Sequence, residues 1–188
     1  MAREAFLSAG YHAIGMDHFA LPTDELALAQ REGRLSRNFM GYTVNPGDDT
    51  LGFGVSAIGD VRGTLAQNHK MLAPYYRILD EGRLPIQRGY RRTRDDEIRR
   101  DAIQSLMCNF TIDREELESR YGIAFADYFR DSLAKLQGFV KDGMCRIDDQ
   151  GVHAIGHGQV FVRNLAMCFD SYLESRQQMG RPVFSRTV

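Results

Sequence analysis

The chain has 188 residues, with 24 Lys and Arg against 25 Asp and Glu, so its net charge of -1 gives no long-range field that would attract nucleic acid or an acidic membrane. Its length is enough for a hydrophobic core without disulfide bonds. The three cysteines, Cys108, Cys145 and Cys168, form no C-x-x-C pair, and we expect them to be small buried apolar residues. Because no apolar run approaches the ~20 residues of a membrane span, we expect a cytoplasmic protein.

The N-terminal stretch predicts one unit of an α/β layer. Residues 2–9 favour a helix that ends at Gly10, residues 11–19 favour a single buried strand, and Thr23 is positioned to cap a second helix. A lone parallel strand needs neighbours on both edges to satisfy its backbone groups. We therefore expect that part of the layer lies upstream of Met1, and that exposed strand edges favour self-association.

The middle of the chain predicts extended structure around one strong turn, Asn45-Pro46-Gly47-Asp48. Residues 35–44 and 50–58 are the two expected extended segments. Residues 69–80 are expected to form a helix, and residues 82–90, which contain Pro85, a linker.

The C-terminal part carries regular helix signals. Capping boxes and an apolar periodicity predict helices, and a turn flanked by apolar residues predicts a hairpin. The expected helices and strands are a helix from Thr93 to Cys108, a short helix from Asp113 to Gly122, a helix over 125–140 ending by Gly143, strands over 144–147 and 152–155, and a last helix over 159–177. This order is typical of a winged-helix module.

Two short stretches are candidates for chemistry. Asp17 and His18 stand side by side in "YHAIGMDHFAL", at the end of an apolar run, as in many active sites. The pattern Gly52-x-Gly54-x-x-Ala57 nominally matches a dinucleotide-binding loop, but residues 55–58 look extended where that loop requires a helix. The glycines equally fit a strand that packs closely against another backbone.

Arginines could bind carboxylates as bidentate donors. Residues 83–100 contain seven arginines against three acids, and we expect most of them to form a solvated face that pairs with the acids at the start of the following helix. Arg31, Arg34 and Arg37 lie nearer to the Asp17-His18 pair and are the better candidates for binding a carboxylate substrate.

Several blocks of the sequence resemble the carboxy-terminal part of the oxygen-independent coproporphyrinogen III oxidases, a family of radical S-adenosylmethionine enzymes. The blocks, which extend from near Met1 to the C terminus, are "GMDHFALPTDELALAQREGRLSRNFMGYT", "LGFGVSAIG", "RDDEIRRDAIQSLMCNF", "FADYF", "KDG", "RNLAMCFDSYL" and "FSR". The first block is a long ungapped run typical of this oxidase rather than of its haem-chaperone relatives.

The resemblance implies a fold and an activity. The fold class is α+β, with residues 1–60 as the remnant of an α/β (TIM-like) barrel edge, 61–90 as a helix and linker, and 91–188 as a mostly helical winged-helix-like domain. The activity is the oxidative decarboxylation of two propionates of coproporphyrinogen III to vinyl groups in porphyrin biosynthesis. The family uses S-adenosylmethionine and a [4Fe-4S] cluster, and the helical domain is expected to shield the barrel mouth from water.

The resemblance also assigns residues. Ile58, with Ala57 and Gly54, matches the segment that packs against the adenine of S-adenosylmethionine, whereas His18, Asp17 and Arg37 are candidates for the porphyrinogen substrate. His18 equally fits a structural histidine that is hydrogen-bonded where the strand meets the helix. The family holds its cluster with a C-x3-C-x2-C motif, and no such motif occurs in these 188 residues. We therefore expect no metal on this chain and no activity from the chain alone.

A winged-helix order also suggests a competing function as a nucleic-acid-binding regulator. The helix that would enter the major groove carries Asp127, Arg130, Asp131, Lys135 and Lys141, and its acids nearly balance its bases. The adjoining hairpin carries Asp148 and Asp149. Because phosphate would be repelled as much as attracted, this function is the less favoured alternative.

Overall fold

The fold is α+β, as expected. A computed structural model describes residues 2–47 and 49–173. The described residues form two compact units, of which the first comprises 2–37, 42–44 and 98–173 and the second comprises 38–41, 45–47 and 49–97. The boundaries predicted after residues 60 and 90 stay a prediction.

Most helices of the described residues lie in the first unit, and the helix Leu72–Asp80 lies in the second. The α-helices are Ala2–Ser8 (α1), Glu25–Arg31 (α2), Leu72–Asp80 (α3), Arg94–Asn109 (α4), Arg114–Tyr121 (α5), Phe125–Tyr128 (α6), Arg130–Lys141 (α7) and Val162–Met167 (α8), and a 3-10 helix spans Gly156–Gln159. The expected helix over 159–177 is shorter than predicted where it is described, and residues 174–177 lie outside the described part of the chain.

The strands pair in small antiparallel sheets. They are His12–Gly15 (β1), His18–Ala20 (β2), Ser36–Arg37 (β3), Tyr42–Thr43 (β4), Ile58–Val61 (β5), Thr64–Asn68 (β6), Ile86–Arg91 (β7), Thr111–Asp113 (β8), Cys145–Ile147 (β9) and Gly151–Ala154 (β10). β1 pairs with β2 and β3 with β4, and the two three-stranded sheets have the orders β5-β6-β7 and β8-β10-β9.

The prediction of a single strand over residues 11–19 is wrong. The chain reverses between β1 and β2, where Met16 adopts a left-handed conformation with φ 44°. The continuous apolar run hid this turn, because it contains no Asn-Gly or Gly-Gly pair. The predicted cap of α2 is also one residue off: the carboxylate of Asp24, rather than Thr23, accepts the N–H of Leu26 at 2.9 Å.

The C-terminal helices agree well with the expected capping signals. Thr93 Oγ1 accepts the N–H of Asp96 at 3.2 Å while Asp96 Oδ2 accepts the N–H of Thr93 at 2.7 Å, which is the predicted capping box of α4. Asp113 caps α5, and Gly122 ends it with φ 61°. The helix expected over 125–140 breaks into α6 and α7 at Phe129.

The apolar side chains of these helices and of the sheet β8-β10-β9 form one core. All its members are buried, and they include Ile98, Leu106, Ile112, Phe125, Phe129, Leu136, Val152, Val162, Leu165 and Phe169. A smaller cluster joins β1, β2 and α2 through Ile14, Ala20, Ala27, Ala29, Leu35 and Cys108. The prediction that the three cysteines are buried and free is confirmed.

The second unit corrects two expectations. Residues 50–57 form a loop with an isolated bridge between Thr50 and Asp60, and regular pairing begins only at Ile58. The expected linker over 82–90 contains β7, which pairs with β6 from Thr64 opposite Arg91 onward. Pro85 precedes this strand and lies at its start, where a missing N–H is tolerated. The helix expected over 69–80 is confirmed as α3.

Candidate functional site

Asp17 lies on the turn between β1 and β2, and His18 is the first residue of β2. Nδ1 of His18 and Oδ1 of Asp17 are 2.9 Å apart, and both side chains are exposed to solvent. Because the carboxylate of Asp17 lies at Nδ1, the other ring nitrogen of His18, Nε2, is the one that faces away from Asp17 and could bond to a ligand. The pair can therefore act as an oriented imidazole or, once protonated, as a cation that binds a carboxylate.

The aromatic ring of Tyr42, on β4, lies against this pair. The His18 and Tyr42 rings meet edge to face with centroids 5.0 Å apart. The hydroxyl of Tyr42 donates to the backbone carbonyl of Met107 at 3.2 Å, and the amide of Gln30 donates to the carbonyl of Cys108 at 2.7 Å. These carbonyls belong to the last turn of α4, where they have no partner within the helix. Side chains from α2 and β4 thus anchor the hairpin region to the end of α4.

Arg37 shares the Tyr42 ring with His18. Its guanidinium carbon lies 5.6 Å from the ring centroid, as in a cation-π contact. The buried Nε atom of Arg37 has no hydrogen-bond partner among the described residues. In contrast, Arg31 donates to the carbonyl of Pro22, and Arg34 pairs with Glu32.

Burial determines the protonation state at the base of this cluster. Desolvation first, and next the neighbouring Cys108, raises the pKa of Tyr42 to about 12. Desolvation also raises the pKa of the Cys108 thiol to about 12, although the charge of Arg37 opposes this change. Near neutral pH the Tyr42 hydroxyl therefore keeps its proton as a donor, and Cys108 is a thiol rather than a reactive thiolate.

The glycine-rich segment lies in the second unit and is organised by Asn68. The buried side-chain amide of Asn68 donates to the carbonyl of Gly52 at 3.0 Å and to that of Gly54 at 2.9 Å, while its backbone N–H donates to the carbonyl of Ala57 at 2.9 Å. The N–H of Gly54 donates to the hydroxyl of Tyr75 at 3.1 Å. The loop is therefore held in one shape by bonds within the unit.

Two glycines of this segment are required for different reasons. A Cβ on Gly52 would lie 2.8 Å from the carbonyl carbon of Ile58, so Gly52 permits the close approach of two backbones, which was the alternative reading of this pattern. Gly54 has φ +97°, and no atom lies within 4 Å of the place where its Cβ would be. The space beside Gly54 is therefore open, with the exposed ring of Phe53 next to it. No helix follows the pattern, so the dinucleotide-loop geometry is not formed.

The candidate residues thus fall into two groups. His18, Asp17 and Arg37 gather around Tyr42 in the first unit. In the second unit, Gly54 and Ala57 accept hydrogen bonds from Asn68, and Ile58 pairs with Gln67, the residue before Asn68. Neither Tyr42 nor Asn68 was singled out from the sequence. The carbonyls to which their side chains donate lie 14 to 65 residues away along the chain, a separation that no local pattern records.

Several of the seven arginines near the start of α4 have partners. Arg92 reaches an acid at the start of that helix, but it is mostly buried rather than part of the expected solvated face. Arg92 bridges Asp60 and Glu97, with its Nε donating to Glu97 at 2.6 Å. Arg83 pairs with Glu81. These guanidinium groups are engaged in stabilising their own unit.

The described residues contain no group of three or more His, Cys, Asp and Glu side chains that could hold a metal ion. Burial raises the pKa of the Cys145 thiol to about 11 and raises that of Cys168 as well. Raised pKa values keep these thiols protonated, whereas iron-sulfur clusters are held by thiolates. The donor set of the described residues therefore does not fit an iron-sulfur cluster. In the same part of the chain, no helix is long and apolar enough to cross a membrane.

Known proteins resemble this chain along nearly its whole length. The model of the HemN C-terminal domain matches residues 93–161. Oxygen-independent coproporphyrinogen III oxidase of Escherichia coli (strain K12) is 48% identical over 185 residues, which are 98% of this chain and 40% of that protein. The protein of the same name from Thermostichus vulcanus is 40% identical over 186 residues, 98% of this chain and 56% of that protein.

A solved structure gives the same result. The coproporphyrinogen III oxidase (HemN) of Escherichia coli, described as a radical SAM enzyme, superimposes with a TM-score of 0.88 at 49% identity, covering 92% of this chain and 40% of that one. The chain thus spans well under two thirds of the length of these relatives. By sequence and by fold, the chain belongs to the family of the oxygen-independent coproporphyrinogen III oxidases and corresponds to its C-terminal part.

Proposed function

We propose that the chain acts as the C-terminal part of an oxygen-independent coproporphyrinogen III oxidase, an enzyme that decarboxylates two propionates of coproporphyrinogen III to vinyl groups and yields protoporphyrinogen IX. The observation that carries this proposal is the 48% identity to the Escherichia coli enzyme over 98% of the chain. The alternative function, a winged-helix regulator that binds nucleic acid, gains no support from these relatives.

The [4Fe-4S] cluster that such an enzyme uses to generate a radical from S-adenosylmethionine is not assigned to these residues. The sequence has three cysteines and no C-x3-C-x2-C motif, and their thiols are buried. The cluster belongs instead to another part of the enzyme. These 188 residues are therefore inactive alone, and their contribution is binding and shape.

The first contribution is a surface for S-adenosylmethionine formed by Gly54, Ala57 and Ile58. The support for this assignment is the open space beside Gly54 and the rigid loop that Asn68 holds. Ile58 begins β5 and is only partly buried, so part of its side chain remains available to a flat base. This arrangement suits adenine. The aliphatic side chain can pack against the flat base, and the backbone without a Cβ lets N–H and C=O groups approach it.

The second contribution is to the substrate, whose propionates are carboxylates. His18 and Arg37 face the same Tyr42 ring, and Arg37 has a donor without a partner among the described residues. Asp17 orients the imidazole of His18 through Nδ1. A protonated imidazole and a guanidinium are the two side chains best suited to bind one propionate by charge-assisted hydrogen bonds.

The finer features of the fold follow the same assignment. We assign residues 1–60 to the edge of the TIM-like barrel of the whole enzyme and 91–188 to a winged-helix-like domain, in which α4, α5 and α7 accompany the sheet β8-β10-β9. A cytoplasmic location, the absence of nucleic-acid and membrane partners, and self-association through an exposed barrel edge remain predictions.

A chimera tests this function. The matching two fifths of the Escherichia coli enzyme is replaced by this chain, and anaerobic conversion of coproporphyrinogen III is followed by porphyrin fluorescence. We expect an active chimera, in which Ile58→Ala weakens S-adenosylmethionine binding by about tenfold, the effect of losing roughly 1.5 kcal/mol of apolar contact. The matched control is Ile86→Ala on β7, which we expect to bind normally. A folded chimera without activity would contradict the proposal.

A further inference from the structure

We propose that Tyr42 is a positioning residue that holds His18 and Arg37 in the geometry needed to bind one carboxylate of the substrate. This inference deepens the proposed function and rests on it for the identity of the ligand. It assigns a role to a residue that itself need not touch the substrate.

The first step is that Tyr42 has one fixed place. Its hydroxyl donates to the carbonyl of Met107 at the end of α4. A Cβ on Gly15 would lie 2.2 Å from the same hydroxyl, so the glycine leaves the space that the phenol occupies. Gly15 is in turn paired with His18 across the β1–β2 hairpin. The strand that carries His18 is therefore built around the end of the Tyr42 side chain.

The second step is that His18 and Arg37 both contact the ring of Tyr42. The centroids of the His18 and Tyr42 rings are 5.0 Å apart, with the rings nearly perpendicular, and the guanidinium carbon of Arg37 lies 5.6 Å from the centroid of the Tyr42 ring. A cation over an aromatic face and an edge-to-face pair are both favourable, and together they favour one rotamer of a long side chain over its alternatives. The ring thus orders both donors before a ligand arrives, which lowers the entropic cost of binding.

The third step concerns Arg37. Within residues 2–47 and 49–173, the buried Nε of Arg37 has no partner, so a donor of this guanidinium is unused there. The backbone carbonyl of Arg37 accepts a hydrogen bond from the side chain of Gln104. The backbone is therefore fixed, and the rotamer is set by the ring of Tyr42.

The test uses the 188-residue chain and the Hε1 NMR signal of His18, assigned by its loss in His18→Gln. Ring currents of Tyr42 displace this signal from its position in a disordered peptide. We expect Tyr42→Leu to remove the displacement, Tyr42→Phe to retain most of it, and the control Tyr76→Leu to leave it unchanged. An unchanged His18 signal in a folded Tyr42→Leu variant would overturn the proposal.

Gly15→Ala provides a second variant if Tyr42→Leu does not fold, since the added methyl group must displace the Tyr42 hydroxyl. We expect it to move the His18 signal towards the position seen in a disordered peptide. A folded Gly15→Ala variant with the wild-type signal would contradict the proposed geometry.

Binding separates this inference from the proposed function. The probe is coproporphyrin III, the stable oxidised form with four carboxylates, titrated by its fluorescence. We expect Tyr42→Leu to weaken binding by about tenfold, the effect of misplacing one charge-assisted hydrogen bond. A His18 signal that depends on Tyr42, with no porphyrin bound by the wild-type chain, would support positioning and count against the substrate assignment. Equal weakening by Tyr42→Leu and Tyr76→Leu would overturn the positioning role.

Discussion

Different kinds of interaction stabilise the interior of each unit. The core of the C-terminal helices and the sheet β8-β10-β9 contains many apolar side chains that are fully buried. In the described part of the second unit, Ile78 and Pro85 are the buried apolar side chains, and Phe53, Met71 and Leu84 are exposed. There a few polar side chains, chiefly Asn68 and Arg92, join the loops and strands.

This difference separates stability from binding. Apolar burial supplies most of the favourable free energy of folding, so the helical core is expected to determine whether the chain folds. Hydrogen bonds in the second unit instead fix the shape of the loop that contains Gly54. Substitutions in the two regions should therefore differ in what they change.

The largest effect is expected for Phe129→Ala. The ring of Phe129 is 1% exposed and contacts those of Phe125, Tyr128 and Phe169 with centroids 4.9–5.2 Å apart. Its removal should lower the free energy of unfolding by about 3–5 kcal/mol, as measured by urea denaturation followed by circular dichroism. The matched control is Phe53→Ala, at a side chain 86% exposed, with an expected change within about 0.5 kcal/mol. Equal effects would remove the distinction between the two regions.

Arg92→Ala should have the next largest effect. The side chain of Arg92 is 12% exposed and bridges Asp60 of β5 with Glu97 at the start of α4. Its removal leaves two partly buried carboxylates without their partner, and should cost about 2–3 kcal/mol in thermal or urea unfolding. Arg83→Ala, at an exposed pair with Glu81, is the control and should cost less than about 0.5 kcal/mol. If both variants unfold alike, the bridge is not what stabilises the unit.

Asn68→Ala should act locally, with a cost of about 1–2 kcal/mol, because its amide satisfies two backbone carbonyls. Hydrogen exchange should become faster at residues 52–57, while the core around Phe129 stays protected. Gln87→Ala is the control, since that amide lies on β7 and is exposed. A uniform increase in exchange would indicate that Asn68 supports the whole fold rather than this loop.

Asp148→Asn should have the smallest effect, and one that depends on pH. Partial desolvation alone would raise the pKa of Asp148, but hydrogen bonds from His153 and from the N–H of Gln150, with the charge of Arg146, bring the net pKa below its ordinary 3.8. A depressed carboxyl pKa stabilises the fold above the unfolded value, and this stabilisation is lost as the pH falls through the folded one. The difference in unfolding free energy between wild type and Asp148→Asn should therefore be present at pH 6 and be lost as the pH falls through the folded pKa of Asp148.

Gln150→Ala, at an exposed and uncharged side chain on the same turn, is the control. Its effect should not depend on pH, and a wild-type advantage of Asp148 that persists at low pH would contradict the role of its charge.

Sequence patterns predicted the helical part of the fold well because its determinants are local. The capping residues Thr93, Asp113 and Gly122 lie within four residues of the groups they bind. The hairpin at Met16 and strand β7 were missed for a physical reason. The first turn uses a left-handed non-glycine residue, and the second strand is exposed along its whole length, so it lacks an alternating pattern.

The candidate site was predicted in part. The contact between Asp17 and His18 could be predicted because the two residues are adjacent in the sequence. The role of Tyr42 was not readable, because its hydroxyl binds a main-chain carbonyl 65 residues away and main-chain groups are the same for every residue type. Asn68 was missed for the same reason.

Iron analysis after anaerobic reconstitution with iron and sulfide tests the central claim most directly. The claim is that these 188 residues contribute binding surfaces to a radical enzyme but contain no ligand set for its cluster. We predict iron well below one cluster per chain and no electron paramagnetic resonance signal that responds to S-adenosylmethionine. A stoichiometric [4Fe-4S] cluster with such a signal would contradict the account.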